Sequence, residues 1–343
     1  MISLVATLLV TGCNPTPEEE TASFDAWLLN EGTWGGNNAS LSALNTTTPE
    51  LFSHYFTQIN GRGIGDLAQD ALLYGGKMYV TVSESNSIEV LDPRTGKSIQ
   101  QIDVDNRYPR YLTCYDGKIY VSCYTPHSII CIDTNTLAIE RSYQLTDRMQ
   151  PEQICVAGDK LYVTCSYQTD ETGAFVYDNQ LVAIDLNTFS NSQLIEIGYN
   201  ANRIKKVDDH TLCISFQGDY ADNPAGSLLY DCNTQSLTPL EVALTNFDVF
   251  QGRIYGYNTQ YDATWNAVNR FYCIDPALGT TTQILSDIVL DNAYGISINP
   301  HNGDLYVCDG PYGSNGDLYC FSASGDQKFK LSADVYPSKV VFL

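Results

Sequence analysis

The sequence is short of several things, and each shortage narrows what the protein can be. Positive charge is scarce: 18 Lys and Arg stand against 40 Asp and Glu, a formal net charge of −22. A surface of that sign repels phosphate backbones and anionic membrane surfaces, so nucleic acid is set aside as a partner. Histidine is rare. His54, His127, His210 and His301 are scattered without ligand spacing, so no metal centre is expected on them. No two cysteines form a C-x-x-C pair, which removes zinc-ribbon and thioredoxin-type readings. Neither a G-x-S-x-G elbow nor a P-loop is present, so hydrolysis by a serine nucleophile and phosphoryl transfer have no motif to rest on. No segment keeps a helical apolar period over a useful length.

What is present starts at the N-terminus. The apolar run Leu4-Val5-Ala6-Thr7-Leu8-Leu9-Val10 is too short to span a bilayer and reads as a signal-peptide core. It leads into Val10-Thr11-Gly12-Cys13, which resembles the bacterial lipobox, with Cys13 as the acylated residue. One departure is that no Lys or Arg precedes the run. Residues 14–23 follow with Pro15, Pro17 and Glu18-Glu19-Glu20, a flexible acidic tether without core-forming residues. An acidic cluster just after a lipidated cysteine is similar to the surface-export signal of Bacteroidota lipoproteins. The expected organisation is therefore a lipoprotein signal segment (1–13), a tether (14–23) and one folded unit (24–343), held at the outer membrane and facing outward.

The folded unit is a repeat, and repeats decide architecture before any single motif does. One phrase recurs as Lys77-Met78-Tyr79-Val80, Lys118-Ile119-Tyr120-Val121, Lys160-Leu161-Tyr162-Val163, Arg253-Ile254-Tyr255 and Asp304-Leu305-Tyr306-Val307, with a weaker copy at Leu212-Cys213-Ile214. A second phrase follows each copy and closes on an aspartate: Asp92, Asp133, Asp185, Asp231 and Asp275. Turn residues come next, so these carboxylates read as hairpin devices bonding the backbone ahead, not as catalysts. Spacings of roughly 41 to 51 residues hold about four short strands each, which is the arithmetic of a propeller blade. Six copies are clear. A seventh is expected from the N-terminal strands around 26–31 and 39–44, completed by the C-terminal strand 339–343. The predicted fold is all-β: a seven-bladed β-propeller closed by N- and C-terminal strands in one blade, which leaves no exposed sheet edge at the seam. Cys123 and Cys165 recur at equivalent strand positions, so they read as small packing residues. An oxidising compartment would permit disulfides, and the sequence does not pair them.

Aligning the starts of the innermost strands shows where a site would sit. They read Ala68-Gln69-Asp70, Pro109-Arg110-Tyr111, Pro151-Glu152-Gln153, Ala201-Asn202-Arg203, Leu244-Thr245-Asn246, Ala293-Tyr294-Gly295 and Pro337-Ser338-Lys339. The first position is apolar or proline throughout. The next two are mostly polar and differ in every blade, so a ring of unlike polar groups is expected at one channel mouth. Long loops over that face carry Trp34, Tyr167, Tyr220, Tyr261, Trp265 and Tyr312 among Gly, Asn and Asp, a composition suited to recognition. The same ring can instead hydrogen-bond neighbouring blades, and the loop aromatics can staple loops to blades. A third possibility is a carboxylate or calcium site drawn from Asp66, Asp70, Glu152 and Asp219, as propeller lactonases use.

The repeated phrases resemble the YncE/YVTN-type seven-bladed propellers over residues 24–343. More narrowly, Asn30-Glu31-Gly32, Asn38-Ala39-Ser40-Leu41-Ser42 and Gly63-Ile64-Gly65-Asp66-Leu67-Ala68-Gln69 resemble the BtuG surface lipoproteins of gut Bacteroidota. That resemblance implies a non-enzymatic protein that captures vitamin B12 or another corrinoid. It further implies transfer to a TonB-dependent outer-membrane transporter of the BtuB type. A corrinoid is fringed with amides and carries one phosphodiester. Gln69, Tyr111, Asn202, Asn246, Tyr294 and the loop aromatics suit the amides and faces, and Arg110, Arg203 or Lys339 suits the phosphate. Asp70, Glu152 and Gln153 complete the expected ligand-binding set. The alternatives are a metal-dependent propeller lactonase and a binder of another nutrient or glycan.

Overall fold

The computed structural model describes residues 23–145, 150–190 and 192–343; the expected lipidation site Cys13 and the tether up to residue 22 lie outside them. Seven four-stranded antiparallel sheets form the blades of a propeller, and their innermost strands touch one another in cyclic order. Blade 1 consists of Ala68–Tyr74, Lys77–Val82, Ser87–Leu91 and Ser98–Asp103, counted from the channel outward. Blades 2 to 6 repeat this plan, with innermost strands Pro109–Tyr115, Pro151–Ala157, Ala201–Lys206, Asn246–Phe250 and Ala293–Ile298. Blade 7 closes the ring as expected: the C-terminal Pro337–Phe342 is innermost and pairs with Ala26–Asn30, beside Ser40–Asn45 and Glu50–Phe52.

Burial explains the repeated phrases. The second strands Lys77–Val82, Lys118–Cys123 and Lys160–Cys165 are buried at every position after the first, because each blade has a neighbour on both faces. Such strands read as continuous apolar runs, not alternations. Outermost strands such as Ser98–Asp103 and Ile139–Gln144 are mostly exposed and polar, which blunts their free edges. The phrase-ending aspartates do what turn chemistry predicts: Asp133 Oδ1 accepts from the backbone N–H of Asn135 and Thr136, and Asp185 and Asp231 do the same two and three residues ahead. All ten described cysteines are free thiols, and Cys123 and Cys165 are buried packing residues.

A helix, Tyr55–Asn60, follows the outer strand of blade 7 and departs from the reading of the sequence. Six residues are too few to register as a period. Its buried Tyr55 and Phe56 pack in one cluster with Trp27, whose indole N–H donates to the Pro93 carbonyl at 2.8 Å. Asn60 donates to the Gly96 carbonyl at 2.8 Å and accepts from the Ser98 N–H at 2.8 Å. Helix and indole therefore fasten blade 7, where the N- and C-terminal strands pair, to blade 1.

Candidate ligand well at the channel mouth

Strand direction alternates within a blade. The start of each innermost strand therefore shares a face with the loops joining second and third strands. On that face six of the seven innermost strands carry a β-bulge at their start, at Ala68/Asp70, Pro109/Leu112, Pro151/Ile154, Ala201/Arg203, Ala293/Gly295 and opposite Leu29/Asn30. A bulge inserts an unpaired residue and re-aims side chains. In blades 1 to 4 and 7 it brings two neighbouring polar residues to the mouth, where a regular strand would direct one of them away; in blade 6 only Tyr294 of the pair lines the well. Blade 5 begins without a bulge at Asn246, so Leu244 and Thr245 precede the strand instead of opening it.

These side chains bond from blade to blade. Lys339 Nζ of blade 7 donates to Asp70 Oδ1 of blade 1 at 2.7 Å, and Asp70 Oδ2 accepts the Leu112 N–H of blade 2 at 2.9 Å. Arg110 of blade 2 reaches Gln69 in blade 1 and Glu152 in blade 3, the latter at 3.3 Å. Glu152 also accepts from the Tyr124 hydroxyl at 2.6 Å and from Ser166 at 3.0 Å. Gln153 accepts the Ile204 N–H of blade 4 at 2.8 Å. Lys205 of blade 4 pairs with Asp248 of blade 5 at 2.6 Å, and Asp248 accepts the Ile298 N–H of blade 6 at 2.9 Å. Tyr294 of blade 6 donates to Glu31 of blade 7 at 2.5 Å. The circuit is complete, so much of the polar ring stitches the propeller together.

Inside this ring lies a well of about 380 Å³ with a polar lining. It gathers thirteen of the residues read from the sequence: Gln69, Asp70, Arg110, Tyr111, Glu152, Gln153, Tyr167, Asn202, Arg203, Tyr220, Asn246, Tyr294 and Lys339. Two guanidinium groups lie near the Tyr111 ring, those of Arg110 and Arg203, each 5.6 Å from its centre. Arg203 reaches across from blade 4 to blade 2 to donate to the Tyr111 hydroxyl at 2.9 Å. Beside them, burial pushes the Glu31 carboxyl above the ordinary range, against the opposing influence of the Tyr294 hydrogen bond and of Arg110 and Arg203.

Four predicted residues stand outside the well. Trp34, Tyr261, Trp265 and Tyr312 project from the loops of the same face and are 77%, 62%, 83% and 97% exposed, too exposed to be loop staples. Tyr167 and Tyr220 bridge rim and well. Tyr167 packs on Phe175 at 4.9 Å and Tyr220 on Tyr177 at 5.7 Å. Phe175 and Tyr177 belong to a small hairpin that the sequence showed only as a long loop. Glu31, Lys205 and Gln217 also line the well and were missed as site residues. Glu31 lies just past the end of a second strand and Lys205 sits fifth in an innermost one, so neither falls at the aligned positions; Gln217 opens a loop.

The carboxylate quartet suggested by the sequence does not converge. Only Asp70 and Glu152 line the well, and both are engaged by cations and backbone or hydroxyl donors. Asp219 is a loop staple: its carboxylate accepts from Asn223 and from the Ala221 N–H, and these bonds hold it below the usual carboxylate range. Asp170 and Asp262 organise two other long loops in the same way. Asp66 lies outside the well, its backbone N–H held by Ser85 at 2.9 Å. No group of three or more His, Cys, Asp or Glu poised around a metal position occurs among the described residues.

Solved structures share the architecture. A candidate 6-phosphogluconolactonase from Bacteroides uniformis superposes with a TM-score of 0.66 over 94% of this chain and 100% of its own, at 10% identity. A second, from Bacteroides fragilis, gives 0.64 over 96% and 100%, at 12% identity. A streptogramin B lyase gives 0.57 over 78% and 83%, at 14% identity. At such identities the likeness is one of fold. No protein-family model and no curated protein sequence matches the chain.

Proposed function

We propose that the protein is a non-catalytic capture protein for a corrinoid, displayed at the outer membrane through Cys13 and serving a TonB-dependent transporter of the BtuB type. The observation that carries this reading is the pairing of a polar well with an aromatic rim on one face. Most charges in the well are spent on neighbouring blades, so much of what it offers a ligand is side-chain amide, from Gln69, Asn202 and Asn246. That chemistry suits a molecule fringed with amides. A volume of about 380 Å³ is too small to enclose a whole corrinoid, so one edge would seat in the well while its faces meet Trp34, Tyr261, Trp265 and Tyr312 above. The BtuG-like motifs support the same ligand. A lactonase would need carboxylates free to hold a divalent ion, and Asp70 and Glu152 are already committed to Lys339 and Arg110. Calorimetric or absorbance titration with cyanocobalamin tests the proposal. Saturable binding at micromolar concentration or tighter is expected, and no binding in that range would overturn it.

A further inference from the structure

Charge inside the well does not balance pair by pair. Four cations line it: Arg110, Arg203, Lys205 and Lys339. Three have a carboxylate partner, Glu152 for Arg110, Asp248 for Lys205 and Asp70 for Lys339. Arg203 has none: among the described residues no carboxylate comes within 4.0 Å of it. Its Nη1 donates to the Tyr111 hydroxyl at 2.9 Å and to the Asn202 carbonyl at 3.0 Å, and its plane rests by the Tyr111 ring at 5.6 Å. One edge of the fork is thereby fixed, while Nε and Nη2 make no hydrogen bond with the described residues. Glu31, the remaining acidic group of the lining, spends its Oε2 on the Tyr294 hydroxyl.

We propose that Arg203 is an oxyanion seat in the lining of the well, and that it selects a ligand group bearing a single negative charge, a phosphodiester or a carboxylate. A guanidinium held on one edge presents its other donors in a planar fork that matches two oxygens of such a group. The chain's net charge of −22 repels anions in general, so an unmatched cation in a recess marks the place where one is accepted. Selection for a single charge follows from the rest of the lining. The other three cations of the lining are already paired, so a second negative charge on the ligand would find no free counter-charge and would meet Glu31. The seat deepens the corrinoid reading, because a corrinoid carries one phosphodiester. Of the three cations that the sequence offered for that group, the geometry selects Arg203: Arg110 and Lys339 are neutralised by Glu152 and Asp70.

The test uses the full chain and simple probes in ligand-observed NMR titrations. Dimethyl phosphate represents the diester and acetate the carboxylate. Trimethyl phosphate is the neutral control, and methyl phosphate at pH 8 the doubly charged one. The wild-type chain is expected to bind at least one of the two single-charge probes and to bind methyl phosphate more weakly; which of the two binds identifies the source of the oxyanion. Arg203→Gln should weaken that binding about ten-fold or more, while Arg203→Lys retains part of it. Arg253→Gln removes the same charge from an exposed pair with Asp275 and should change nothing. Binding of trimethyl phosphate equal to that of both single-charge probes, or equal losses in Arg203→Gln and Arg253→Gln, would overturn the seat. If Arg203→Gln fails to fold, the wild-type comparison of charged and neutral probes and the Arg203→Lys titration decide. A separate arm compares cyanocobalamin with dicyanocobinamide, which lacks the phosphodiester. Arg203→Gln should remove any preference for the former. Failure of both corrinoids to bind, with single-charge probes still bound, rejects the corrinoid and leaves the seat standing.

Discussion

Removing Lys339 should loosen the propeller at its seam. Its ammonium sits 2.7 Å from Asp70 Oδ1 and joins the last strand of the chain to the first complete blade. The Asp70 side chain is 6% exposed and that of Lys339 34% exposed. Lys339→Met would leave a buried carboxylate facing an apolar group. Breaking a buried pair from one side costs about 3–5 kcal/mol, but the lysine is a third exposed, and solvent screening lowers the expectation to about 2–3 kcal/mol. Asp70 also keeps the backbone N–H groups of Ala71 and Leu112, each at 2.9 Å, which argues for the lower end. Equilibrium urea denaturation reads the loss, and a double-mutant cycle with Asp70→Asn isolates the pair. The single substitutions should be non-additive by about 1–2 kcal/mol, because the amide no longer leaves a stranded charge. Hydrogen exchange should accelerate in 337–342 before other innermost strands, since that strand closes the ring. A Lys339→Met chain within about 0.5 kcal/mol of wild type, or a cycle without coupling, would refute the reasoning.

Other outcomes are equally specific. Glu31→Gln should stabilise the protein increasingly as pH rises: burial raises the folded-state pKa above the ordinary 4.5, so the wild type loses stability from about that pH upward and levels off once the folded carboxyl ionises. A stability difference that does not vary with pH counts against this account. Trp34→Ala and Trp265→Ala should weaken cyanocobalamin binding with little change in stability, since both side chains are largely exposed; equal affinity would remove the rim from the site. Gly295→Ala should lower the melting temperature, because a Cβ there would come within 2.0 Å of the Ser338 carbonyl oxygen at the contact between blades 6 and 7, and backbone would have to move. Of the described thiols, the six buried ones should react with Ellman's reagent only on unfolding: burial pushes the Cys123 thiol up to about 12, and reductant should leave the native melting temperature unchanged.

The fold was legible in the sequence because repetition averages out local ambiguity. A single Tyr-Val strand proves little, but Tyr79, Tyr120, Tyr162 and Tyr306 in the same phrase fix a period, and each is buried in its second strand. The turn aspartates were legible for the same reason. The site was legible in part: comparing equivalent positions separated what the scaffold repeats from what it varies, and that picked out Arg110, Arg203 and Lys339. It could not tell which of them a neighbouring blade neutralises, since their partners lie in other blades. Glu31 escaped because it belongs to a loop opening, and the Tyr55–Asn60 helix because six residues carry no period.

Composition and spacing by themselves determined an all-β ring of seven units closed by the chain's two ends, with its variable residues on one face. Those features depend on strand propensity, turn chemistry and period, all of which are local. Tertiary structure decided which ring residues are stitches and which are open to a ligand. Bulges at the strand starts are not written in any motif. Nor are the left-handed turns at Leu67, Tyr108, Asn200 and Tyr336 that lead into four innermost strands, none of which is glycine. Both lie at the starts of innermost strands, where they set the direction of the side chains. Whether a charge in the well is free therefore rests on distances between blades far apart in the chain, and Arg203 is the cation those distances leave unmatched.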